Sequence, residues 1–187
     1  MARIVPIDGS GCEPETEDAR AVLADLRAQY GADFPVTYET MAHRPAALRA
    51  FSDFVLAVMA GDALPYEYKE LAYLKASMGA ECEHCVASHS HYASQAGYSE
   101  EQIAALGSYR ESPLFSDEEK AILHFSEQTT LRPGPCPAAL VEELQRFFSD
   151  AQIVELTLVI GIANTFGRFN NALGVGADAP AFSATVP

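Results

Sequence analysis

The sequence predicts an all-α protein, and three observations carry the prediction. Apolar residues recur three and four apart in successive segments, the spacing of one helix face. Proline opens and glycine closes several of these segments. Three Ser-x-x-Glu/Gln capping boxes, Ser99 with Gln102, Ser116 with Glu119 and Ser149 with Gln152, mark further helix starts. No convincing run of alternating apolar and polar residues signals a strand. The expected architecture is about eight helices in a single domain over residues 1–187.

Residues 1–13 read as an extended arm lying on the body of the protein or on a neighbour. Pro14 then opens a helix with acids early, arginine late and Gly31 as its stop, its apolar stripe made by Val22, Leu23, Leu26 and Tyr30. A turn at Phe34-Pro35 and a short segment through Met41 lead to Pro45. There a second helix begins, with Leu48, Phe51, Val55 and Met59 at helical spacing and Gly61 behind it. Pro65 starts a third helix holding Glu70, Leu71, Leu74 and Met78. Gly79 is expected to break it, and a fourth helix is expected from Glu81 or Cys82 to about Gln95.

The first capping box carries a staple pair in Tyr98 and Ile103, and the second opens DEEKAILHFSEQTTL, ended by Pro133-Gly134-Pro135. Pro137 opens AALVEELQRFF. The third box, with Phe148 and Ile153 as its staple, heads AQIVELTLVIGIANTFGRFNNALG. Ile and Val abound there, but the box, the length and Gly174 as a stop predict a helix buried on nearly all sides. The tail over 176–187 reads as irregular.

Composition limits the partners. Twelve Lys and Arg stand against 26 Asp and Glu, a net charge of −14. So acidic a surface repels phosphate backbones and anionic headgroups, so nucleic acid and membrane are not expected partners. No apolar run reaches the ~18 residues of a membrane span, and no secretory signal is visible, so the cytoplasm is the expected compartment. There, paired cysteines are more often redox-active or metal-binding than structural. Cys12 and Cys136 lie far apart in loop-like surroundings and read as incidental.

The stretch 70–89 concentrates the chemistry: Cys82, Cys85, His84, His89 and an upstream Glu70. On one helix, Cys82, Cys85 and His89 share a face at i, i+3 and i+7. His89 stands four residues past Cys85, about 6 Å along the axis, but over ~10 Å from Cys82. This makes Cys85 the better nucleophile and Cys82 the resolving thiol. A helix N-terminus favours thiolate at both. In one straight helix Glu70 would lie ~18 Å from Cys82. A reversal at Gly79 brings it level with His89, where its carboxylate can orient the ring in a Glu–His–Cys relay.

The pattern Glu70, Cys82-x-His84-Cys85, His89 resembles the active site of the alkylhydroperoxidase D (AhpD-like) proteins within the carboxymuconolactone decarboxylase superfamily. The resemblance is close over the third and fourth helices and general elsewhere; chain length and the opening RIVPI are similar to the peroxidase-related branch. It implies an AhpD-like fold with the Cys-x-x-Cys at the start of a central helix, and an antioxidant peroxidase acting on a peroxide substrate. Cys85 would be the attacking thiolate and Cys82 its resolving partner. His89 and Glu70 would relay the proton, often through water, with His84 in support. No cofactor or metal is implied. Trimers or hexamers, and re-reduction by a lipoyl or thioredoxin-like dithiol, are also implied.

Rival readings stand beside this one. Cys82, Cys85 and His89 with His84 or Glu70 form a possible zinc set, in a redox- or zinc-responsive interaction module. A decarboxylase acting on a lactone acid is the rival enzyme, although proton transfer needs no dithiol. His43, His91 and His124 read as packing, surface or capping residues. Arg168, Asn164 and Asn171 in the apolar last helix line a pocket or, preferably, a contact between subunits, since a buried arginine needs a partner. The apolar supply over 45–60 and 151–163 points to a homo-oligomer.

Overall fold

The computed structural model describes residues 2–7, 17–31, 34–132 and 134–176. The expectations for Cys12, Pro14, Pro133 and the tail beyond residue 176 lie outside these. Among the described residues the chain is all-α. Its helices are α1 (Glu17–Tyr30), α2 (Thr37–Met41), α3 (Pro45–Met59), α4 (Tyr66–Gly79) and α5 (Glu83–Gln95). They continue as α6 (Glu100–Ala105) with a 3₁₀ turn at Leu106–Ser108, α7 (Asp117–Leu131), α8 (Ala138–Leu144) and α9 (Asp150–Leu173). The three capping boxes form as expected. In each, the serine accepts from the backbone N–H three residues on, and that residue's side chain accepts from the serine N–H.

The described residues group into two compact units. Residues up to Ala57 and from Phe169 onward form one, and Val58–Arg168 the other. In the first, the N-terminal arm is tied down by backbone hydrogen bonds, Arg3 N–H to Leu173 O at 2.7 Å and Ile7 N–H to Glu39 O at 3.0 Å. His43 Nε2 lies 2.9 Å from Val5 O, so this histidine holds the arm. Thr37 Oγ1 donates to Asn170 Oδ1 at 2.9 Å, both buried.

The second unit is built around α4. Every side chain from Lys69 to Ser77 is buried, because α4 packs against both α5 and α7. Leu71 and Leu74 of α4, Ile122 and Leu123 of α7, and Leu156 and Val159 of α9 form its core. Each such side chain contributes about 1.5–3 kcal/mol by leaving water. A helix enclosed on all sides must pair any charge it carries, and α4 carries Lys69, Glu70 and Lys75.

Two expectations for the second unit are corrected here. The last helix is not buried on nearly all sides: Val154 is 59% exposed, Leu158 39%, and Gly161, Thr165 and Arg168 are also at the surface. Arg168 therefore needs no buried partner, and in the first unit Asn171 is likewise exposed. Asn164 is half-buried, its Nδ2 donating to Thr130 Oγ1 at 3.2 Å and Ile160 O at 3.0 Å. The second correction concerns the turn between α4 and α5, on which the site depends.

Candidate functional site

Gly79 does not make the reversal. α4 runs through it, and Ala80 is the helical C-cap. The residue in the left-handed region is Glu81, at φ +53°. Cys82 N–H bonds Ser77 O and Glu81 N–H bonds Met78 O, both at 3.1 Å. These are the two bonds of a Schellman motif with Glu81 where glycine is usual. Gly79 has a different reason: a Cβ there would stand 3.1 Å from Thr130 Cγ2, so glycine lets α4 and α7 approach. A non-glycine residue at positive φ is uncommon, and here it immediately precedes the first cysteine.

Cys82 is the N-cap of α5, in extended conformation, and its Sγ accepts from Cys85 N–H at 3.3 Å. Cys82 and Cys85 are joined as a disulfide, their Cα atoms 5.2 Å apart, and both are buried. The pair thus occupies the first turn of a helix, where unpaired N–H groups and the positive dipole end stabilise a thiolate once the bond opens.

One turn further on, His89 Nδ1 lies 2.7 Å from Glu70 Oε2. The glutamate side chain is 1% exposed and the histidine's 15%. The antiparallel course of α4 and α5 brings these residues together, across nineteen positions of sequence. A carboxylate on Nδ1 sets the tautomer and leaves Nε2, on the opposite edge, as the proton-handling nitrogen. Cys85 and His89 share one face of α5 at i, i+4.

Two aromatic residues that the sequence reading missed complete this arrangement. The Tyr73 ring stacks on His89 with centroids 3.4 Å apart and planes at 13°, and Tyr92 meets the same imidazole edge-on at 5.4 Å. A signal for both existed: Tyr73 is three residues past Glu70 and Tyr92 three past His89, each on the functional face of its helix. Burial, with the Glu70 charge beside it, pushes the Tyr73 phenol well above its usual pKa, so the ring stays neutral. His84 is half-buried. Desolvation, with His89 as a second cause, lowers its pKa below the usual imidazole value and favours the neutral ring.

The remaining histidines lie elsewhere. His91 faces Gln95 at 3.0 Å on the surface, and His124 pairs with Glu143 at 2.9 Å. Cys136 is exposed and unbridged. Among the described residues no three His, Cys, Asp or Glu side chains gather as metal ligands would. No helix among them is long and apolar enough to cross a membrane.

The sequence profile described as "Carboxymuconolactone decarboxylase family" matches residues 45–128, the span that carries α3 to most of α7. The uncharacterized protein YdfG of Bacillus subtilis is 32% identical over 107 residues, covering 57% of this chain and 73% of its own. The uncharacterized protein YnjA of Escherichia coli is 35% identical over 96 residues, 51% of this chain; the match spans only 53% of that relative's length. Among solved structures, the debrominase Bmp8 superposes with a TM-score of 0.75 over 91% of this chain and 89% of its own, at 22% identity. The Agrobacterium tumefaciens protein ATU0492, of unknown function and ascribed to AhpD antioxidant defence, superposes at 0.67. It is 29% identical, over 71% of this chain and 91% of its own.

Proposed function

The chain belongs to the carboxymuconolactone decarboxylase family, with an AhpD-like fold, and on that premise we propose that it is a dithiol-dependent peroxidase. The single observation that carries the reading is the meeting of two pairs at one helix, α5, one of them reaching across from Glu70 of α4. Cys82 and Cys85 are already bonded at the start of α5, and His89, a turn beyond Cys85, is held at 2.7 Å by a buried carboxylate. A lyase that moves a proton next to a carboxylate has no use for the first pair.

In the reaction, His89 takes the Cys85 proton while Glu70 stabilises the imidazolium. The Cys85 thiolate attacks the terminal peroxide oxygen. The O–O bond breaks, sulfur is oxidised to a sulfenic acid, and the departing alkoxide leaves as alcohol with the proton from His89. Cys82 then displaces water from the sulfenic acid, forming the Cys82–Cys85 disulfide. An external dithiol, a lipoyl group or thioredoxin-like protein, returns both thiols by exchange and is itself oxidised. Neutral His84 supports the relay by adding no competing positive charge near His89. A reducing compartment, the cytoplasm, suits this cycle.

A second copy of the chain belongs to the same proposal. One side of α9 exposes Val154, Leu158, Gly161 and Thr165, and nothing lies within 4 Å of a Cβ placed on Gly161. An interior glycine costs its helix about 1 kcal/mol against alanine, and a close-packed partner helix offsets that cost. A monomeric mass by light scattering at micromolar concentration would overturn this part.

The test is peroxide turnover with a dithiol donor. Cys85→Ser and Cys82→Ser both abolish turnover, but only Cys82→Ser still consumes one equivalent of peroxide and retains a sulfenic acid. If Cys85→Ser does so instead, the two roles are exchanged. Stoichiometric zinc with thiols inert to peroxide would replace the peroxidase with a zinc-responsive module.

A further inference from the structure

Gly167, on α9, lies eighty-two positions of sequence from Cys85 and has no part in the chemistry above. It sits inside a regular helix, where glycine costs about 1 kcal/mol relative to alanine and gains nothing from its backbone freedom. Space is the reason for it. A Cβ on Gly167 would stand 3.0 Å from Ala80 Cβ and 3.6 Å from Cys82 Cβ. The first distance is too short for two carbons at rest, and a Cβ cannot swing aside as the end of a long side chain can.

Ala80 is the C-cap of α4 and Cys82 the N-cap of α5. Only Glu81 separates them, in its left-handed conformation. Three backbone hydrogen bonds close the turn: Ala80 N–H to Ala76 O at 2.9 Å, Glu81 N–H to Met78 O and Cys82 N–H to Ser77 O, both at 3.1 Å. So short and so tightly bonded a turn passes a shift at Ala80 on to Cys82. Cys85, one turn inside α5, has no atom within 4 Å of a Cβ on Gly167.

We propose that Gly167 is a positioning residue for the redox pair: the bare α9 backbone is the wall against which the turn bearing Cys82 is set, and the wall tunes the disulfide–dithiol equilibrium. A displacement of Cys82 costs more when its sulfur is bonded to Cys85 than when both thiols are free, so crowding at Gly167 favours the dithiol. This rests on the redox reading of Cys82 and Cys85.

The experiment equilibrates purified protein with dithiothreitol buffers of graded oxidation and counts free thiols by alkylation and mass. Gly167→Ala shifts the equilibrium three- to tenfold toward the dithiol, tenfold being about 30 mV for two electrons. Gly107→Ala, the same change at an exposed glycine outside α9 with nothing within 4 Å, stays within twofold of the unaltered protein. Ala80→Gly in the Gly167→Ala background removes the opposing carbon and restores the original equilibrium. A folded Gly167→Ala protein with an unchanged equilibrium overturns the proposal, as does absence of rescue by Ala80→Gly. If Gly167→Ala does not fold, the double variant decides: folding with the original equilibrium supports the proposal, and any other result overturns it. A wild-type pair that does not exchange with dithiothreitol overturns the redox function itself, which is a separate failure.

Discussion

Lys69 and Glu70 are consecutive residues of α4, both buried, and each pairs with an opposite charge or a group that can carry one. Lys69 is 0% exposed. Its Nζ donates to Val58 O at 2.9 Å, Gly61 O at 2.6 Å and Glu155 Oε1 at 2.9 Å, with Met59 O at 3.4 Å. The other Glu155 oxygen accepts Leu64 N–H at 2.6 Å. All three lysine protons are used, and the last carbonyls of α3 are capped. Glu70 instead meets an imidazole, a ring with two nitrogens, and holds it by one only. Burial is therefore no guide to function on this helix. What separates the two pairs is whether the partner retains a proton-handling atom.

The largest effect expected from this contrast is on stability. Glu155→Ala leaves Lys69 charged and unpaired in the interior, a loss of about 3–5 kcal/mol by chemical denaturation. Replacing both, Lys69→Met with Glu155→Leu, recovers most of that loss, because removing the pair also removes its desolvation cost. If the double variant is no more stable than Glu155→Ala, the Lys69 cluster does more than satisfy its own charge.

Glu70→Gln is expected to do the reverse. It keeps the volume and a hydrogen-bonding oxygen but withdraws the negative charge from His89. Peroxide turnover falls about 10²–10³-fold, within the range for losing proton-transfer assistance. The denaturation midpoint moves much less than in Glu155→Ala. A variant that unfolds as readily as Glu155→Ala yet retains turnover would make both pairs structural and break the comparison.

The smallest effect is expected at a third ionic cluster, which sharpens the distinction. Glu127 accepts from Lys75 at 3.0 Å, Arg110 at 2.8 Å and the Tyr109 hydroxyl at 3.1 Å. Burial alone would raise its pKa, but hydrogen bonds from Lys75 and Arg110 outweigh that and hold the carboxyl at about 2. A carboxylate depressed in the folded state stabilises fully above its unfolded value of 4.5, and this is lost as pH falls through the folded value. The stability difference between wild type and Glu127→Gln should therefore shrink between those limits, read from urea melts at stepped pH. A difference that does not change with pH would remove the ionised Glu127 from the stability of the fold.

Much of the site was legible in the residues. The i, i+4 spacing of Cys85 and His89 is a helix property that needs no fold, and the approach of Glu70 to His89 followed from assuming a hairpin. The device that makes the hairpin was not legible. Glycine at a helix end ordinarily marks the left-handed residue, yet Gly79 stays helical, kept bare by Thr130 of α7 in the space a Cβ would need, and Glu81 turns the chain instead. Arg168 misled in a similar way: apolar neighbours suggested burial, and the rotation of α9 about its axis points it outward.

The sequence by itself determined the helices, their caps at Ser99, Ser116 and Ser149, the cysteine pair at the start of one of them, and the family. All of these depend on residues within a few positions of one another, where backbone geometry fixes who meets whom. Only the tertiary structure decided that Lys69 answers Glu155, that Tyr73 lies flat on His89, and that Gly167 backs the turn holding Cys82. Those contacts depend on how helices pack, and packing is set by the volumes of side chains far apart in sequence, which no local pattern records.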